Sequence, residues 1–98
     1  MQQLINVIAY ITAKPGSEAV VERALKTAEK AVQSEAGCHS YVLTKDIQQE
    51  NRYVMLERWE NQEALDVHMQ QAPFKQLVAE IDGLATLEVV LTKKVGDL

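Results

Sequence analysis

The chain has a single cysteine, Cys38, so it cannot close a disulfide within itself, and a reduced, cytoplasmic setting is the simplest expectation. Histidine is almost as scarce. His39 and His68 stand apart, neither followed by a second ligand two to four residues on, and no metal centre is expected from them. None of the four glycines belongs to a phosphate-cradling loop, so no nucleotide or flavin signature is visible. Positive charge is also in short supply: 10 Lys and Arg against 14 Asp and Glu leave a net charge of −4 with the cations scattered, which argues against a nucleic-acid partner. No apolar run approaches the roughly 20 residues a spanning helix needs, so no membrane partner is expected. The apolar start "MQQLINVIAYITAKPG" carries no basic leader and no small-residue cleavage site, so it does not read as a secretory signal.

What remains is ordinary globular material. The 98 residues read as one domain over 1–98, with its core over about 4–95, and without repeats, low-complexity tracts or linkers. "LINVIAYITA" (4–13) is rich in β-branched residues and apolar on both faces, as a strand covered on both sides would be. After the break at "KPGS", Ser17 is placed to cap a helix running to residue 36, with Val21, Ala24, Leu25, Ala28, Ala31 and Val32 as its apolar stripe and Gly37 as its stop. "CHSYVLTKD" (38–46) and "RYVMLERWE" (52–60) read as a hairpin. Asn61 caps a short helix over 62–70, Pro73 opens a second helical segment that Gly83 ends, and "TLEVVLTKKV" (86–95) is the last strand. The order βαββαβ is the α+β, ferredoxin-like arrangement: an antiparallel sheet with helices on one face.

Alternation along the third strand puts Tyr53, Met55, Glu57 and Trp59 on one face and Val54, Leu56 and Arg58 on the other. In the first strand Asn6, Ile8 and Tyr10 oppose Val7, Ala9 and Ile11. Both faces carry apolar side chains, so pattern alone does not say which meets the helices. A chain of this size buries only about 60–65% of its unfolded surface. The second apolar face therefore calls for a second cover, most simply the sheet of another copy, and a homodimer is expected.

The ordered set "EAGCHSYVLTKD" … "YVMLERWENQEALDVHMQQAPFK" resembles the antibiotic biosynthesis monooxygenase family, whose members are dimeric α/β barrels. The similarity runs from about Val7 to Val95. It includes the Glu-x-Gly-Cys lead-in at 35–38, Tyr41, the Glu-x-Trp of Glu57 and Trp59, and the helix histidine His68. The "IAYITAKPG" start is similar to the small quinol-monooxygenase branch. Two departures stand out: Ala36 replaces a common proline, and Pro73 stands where many members have a second histidine. Haem-degrading relatives use an asparagine in the first strand, and the best register puts Ala9 there.

The resemblance implies a cofactor-independent monooxygenase acting on a small aromatic quinol or phenol with O2. His68 would be the catalytic base, and Trp59, Asn6, Tyr41, Tyr53 and Glu57 would bind substrate, with the indole as an apolar wall. Two other classes stay open: a non-catalytic dimeric ligand-binding module, and a cofactor-free isomerase or degradation enzyme for a small signalling molecule. On residue type alone Trp59 could be plain core, Glu57 a strand-end carboxylate paired with Arg58 or a lysine, and His68 a solvent-facing helix residue.

Overall fold

The computed structural model describes residues 3–96. The elements are β1 (Ile5–Ala13), α1 (Glu18–Val32), β2 (Cys38–Lys45), β3 (Arg52–Trp59), α2 (Gln62–His68), α3 (Ala72–Ile81) and β4 (Ala85–Thr92). All strand pairings are antiparallel and the sheet order is β2-β3-β1-β4. This is the α+β, ferredoxin-like topology expected, with the second helix broken into α2 and α3. Pro73 lies in the first turn of α3, where its missing N–H and fixed φ cost nothing.

The ambiguous strands resolve cleanly. Val7, Ala9, Ile11 and Ala13 of β1, and Tyr53, Met55, Glu57 and Trp59 of β3, point to the helices and are buried. From α1 they meet Val21, Ala24, Leu25, Ala28 and Val32, the expected stripe except for Ala31, which is exposed. Helix α1 ends four residues earlier than the sequence suggests. The next helical positions that would face the sheet after Val32 are Glu35 and Ala36, which supply no large apolar side chain to bury. The chain instead turns, and Gly37, at φ +79°, delivers it into β2. Ser17 likewise makes no side-chain cap; the Gly16 N–H donates to the Glu18 carboxylate at 2.8 Å instead.

The opposite sheet face carries Ile8, Tyr10, Val42, Val54, Leu56 and Val90, each half-buried or exposed. Arg52 lies over the Tyr10 ring at 5.4 Å on this side. No helix among the described residues is long and apolar enough to cross a membrane.

Candidate active site

Strand β3 ends at Trp59, and Asn61 starts α2 at once, its side chain accepting the Ala64 N–H at 2.9 Å. The reversal folds α2 back over the sheet. Its docking depends on Gly37: a Cβ there would lie 2.5 Å from the Ala64 Cβ, so only glycine lets the helix sit this close. Leu65 and His68, one turn apart, are then buried against the sheet.

His68 is enclosed by rings. Its imidazole lies over the Trp59 indole with centroids 4.5 Å apart, and meets Tyr41 at 5.6 Å and Phe74 at 5.4 Å, both edge-on. Nδ1 is 2.8 Å from the Glu35 carboxylate, in the turn that follows α1. With Glu35 ionised and His68 neutral, the Nδ1–H donates to the carboxylate and Nε2 carries the free lone pair. Nε2 makes no hydrogen bond among the described residues. The second oxygen of Glu35 is buried without a partner, so the carboxylate leans on the imidazole for its stabilisation.

A second carboxyl group is held by the indole. Trp59 Nε1–H donates to Glu57 Oε1 at 2.9 Å, and Glu57 is only 9% exposed. Burial pushes its carboxyl from the ordinary 4.5 up to about 7; the Trp59 hydrogen bond pulls it down and the charge of Glu35 adds to the rise. The Tyr41 hydroxyl is pushed far above its usual range by burial first and then by Glu57 and Glu35. Burial, with the same two acids, raises the Cys38 thiol too, as befits a packed thiol rather than a reactive one.

Between sheet and helices lies a cleft, partly open to solvent, with a cavity volume of about 90 Å³. Its floor is apolar, formed by residues such as Val7, Ala9, Met55 and Leu77, and its polar groups are those of Tyr41, Glu57 and His68. Leu87, Val89 and Leu91, 41–48% exposed, mark its mouth along β4.

Of the six residues expected to form the site, the structure brings four together. Tyr41, Glu57 and His68 line the cleft. Trp59 has no exposed surface and stands behind them, so the expectation of a substrate-facing indole is corrected: it fastens Glu57 and packs on His68. Asn6 and Tyr53 are elsewhere. Asn6 pairs in register with Arg58 on the opposite face and accepts its Nε–H at 3.2 Å. The Tyr53 hydroxyl donates to Glu22 of α1 at 2.9 Å. Among the described residues Glu57 has neither Arg58 nor a lysine as partner; its hydrogen bond comes from the indole. Glu35 was given no site role by the sequence. It lies 33 residues from the histidine it holds, and only the Glu-x-Gly-Cys lead-in marked it out.

The sequence profile of the antibiotic biosynthesis monooxygenase family matches residues 4–80. A Bacillus subtilis (strain 168) protein named "Putative monooxygenase YcnE" is 36% identical over 95 residues, covering 92% of this chain and 97% of its own. A crystal structure from Pseudomonas aeruginosa superposes with a TM-score of 0.91 at 27% identity, covering 98% of both chains. Another, from Caulobacter crescentus CB15 and described as a "putative antibiotic biosynthesis monooxygenase", gives a TM-score of 0.88 at 26% identity over 97% of this chain and 92% of that one. In fold and in sequence alike, this chain belongs to the antibiotic biosynthesis monooxygenase family.

Proposed function

We propose that this protein is a cofactor-independent monooxygenase that oxidises a small aromatic phenol or quinol with O2. The observation that carries the reading is the Glu35–His68 pair set beside an apolar cleft. A neutral imidazole, oriented by a buried carboxylate and holding an unused lone pair, is a general base. Taking a proton turns His68 into the cation that Glu35 otherwise lacks, which balances the buried carboxylate.

The chemistry follows from that base. His68 removes the phenolic proton, and the resulting phenolate is electron-rich enough to reduce O2 itself. A C–O bond forms at an activated ring carbon to give a hydroperoxide. The ring hydrogen then leaves as a proton and the O–O bond breaks. One oxygen atom stays in the quinone, and the other departs as water with the two hydrogens. The protein's part is to bind the ring, hold the proton and keep solvent from the anion. We infer too that two copies pair through the apolar outer sheet face, which carries Val42, Leu56 and Val90.

The test is oxygen uptake by metal-stripped protein across naphthoquinols and hydroxyanthrones, with ¹⁸O2 as tracer. One O2 consumed and one labelled oxygen retained per product molecule is the expected outcome. No uptake on any member of the panel would reject the reading.

A further inference from the structure

The cleft holds two carboxyl groups in opposite circumstances. Glu35 has an imidazole 2.8 Å away that can become its counter-ion by taking up a proton. Glu57 has none: its hydrogen bond is from an uncharged indole N–H, and no lysine, arginine or histidine forms an ion pair with it among the described residues. Burying a charge without a counter-ion costs far more than burying the neutral acid, so such a group keeps its proton. Its surroundings reinforce this. The ionisable groups that raise or face it are Glu35 from the turn after α1, Tyr41 and Cys38 from β2, and His68 from α2, and none is a fixed cation. Yet Glu57 is part of the cleft wall, with Oε1 held by Trp59.

Resting on the monooxygenase reading, we propose that Glu57 is the general acid of the reaction, a neutral carboxylic acid that protonates the departing oxygen while His68 serves as base. Two acid–base groups whose settings favour opposite protonation states is the arrangement that divides such labour. The balance is as follows. His68 holds the phenolic proton after the first step. In the hydroperoxide, the ring C–H bond breaks, its electron pair forms the carbonyl, and the O–O bond opens. The ring proton goes to solvent and replaces the proton that the peroxide anion drew from solvent to become the hydroperoxide. The leaving hydroxide takes the Glu57 proton and departs as water. His68 then returns the phenolic proton to Glu57 through water in the emptied cleft, and the net change is substrate plus O2 to quinone plus water. Trp59 is a positioning residue here, since its N–H fixes which carboxyl oxygen is free.

Glu57→Gln tests this with 1,8-dihydroxy-9-anthrone as the probe. The amide still accepts the indole N–H but cannot give up a proton of useful acidity. The variant should bind the anthrone with unchanged KM, lose on the order of 10²–10⁴ in kcat, and release or accumulate hydroperoxide in place of quinone. In the wild type kcat should fall as the carboxyl ionises at rising pH, and this limb should be missing in Glu57→Gln. Infrared spectra of the resting protein supply a readout that needs no turnover: a protonated-carboxyl carbonyl band at pH 6 that is absent from Glu57→Gln. Unchanged kcat in the variant, or identical carbonyl bands in both proteins, would overturn the assignment. A wild type that shows the band yet consumes no oxygen would strike the oxygenase reading and leave Glu57 standing as a neutral hydrogen-bond donor to whatever the cleft binds.

Discussion

Replacing Glu57 by glutamine should make the protein more stable, and only at the alkaline end. The folded protein holds the Glu57 proton up to about pH 7, whereas an unfolded glutamate releases it near 4.5. Below pH 4.5 both states are protonated and the group contributes its full stability. Between 4.5 and 7 the unfolded chain ionises and the folded one does not, so stability falls as pH rises; above 7 the loss is complete and constant. Each pH unit of that interval is worth about 1.36 kcal/mol, so the loss reaches roughly 3 kcal/mol. Glutamine has nothing to ionise and its carbonyl can still accept the Trp59 N–H. The variant should therefore match the wild type at pH 4.5 and exceed it by up to roughly 3 kcal/mol at pH 8. For a domain of this size that is a Tm difference on the order of 10 °C or more. Urea denaturation of both proteins at half-unit steps from pH 4.5 to 8 measures it, with the difference between the two curves cancelling every other titrating group. A difference that does not change with pH would refute the reasoning, and so would a glutamine variant less stable at pH 8.

Other substitutions probe the parts around it. Gly37→Ala places a side chain at φ +79° against Ala64; the strain and the overlap together should cost roughly 2–4 kcal/mol in chemical denaturation, and a loss under about 0.5 kcal/mol would count against the close docking of α2. Trp59→Phe keeps a ring beside His68 but removes the donor to Glu57; with that hydrogen bond gone the protein should lose about 1–3 kcal/mol at pH 8, and a urea midpoint equal to wild type would contradict the role given to the indole. The wild type should scatter light as a particle of twice its 11.0 kDa chain mass, and Leu56→Glu, which puts a charge on the outer sheet face, should shift it toward the monomer; an unchanged mass in the variant would place the interface elsewhere.

Much of the frame was legible because period and punctuation agree. Alternation set Tyr53, Met55, Glu57 and Trp59 on one face of β3, and the 3.6-residue spacing set Val21, Leu25, Ala28 and Val32 on one stripe of α1. What alternation cannot supply is the register between strands distant in sequence. Asn6 was expected at the site, but its pairing opposite Arg58 puts it on the outer face, and a one-residue slip would have reversed that. Tyr53 shares the inner face with Glu57 yet lies four residues away, roughly 13 Å along the strand, where it meets Glu22 instead of the cleft. His68 was legible because it follows a strand end by two helical turns. Glu35 was not, since contact between residues 35 and 68 arises only when α2 folds back against the turn at Gly37.

The central claim is that His68, held by Glu35, removes a proton from a phenolic substrate so that O2 can react with it. The most direct measurement is steady-state oxygen consumption on a hydroxyanthrone by wild type and by His68→Ala, each first shown to be folded and of the same oligomeric state. The account predicts that kcat falls on the order of 10²–10⁴ when the imidazole is removed, with KM changed far less. Equal turnover by the two proteins would contradict it.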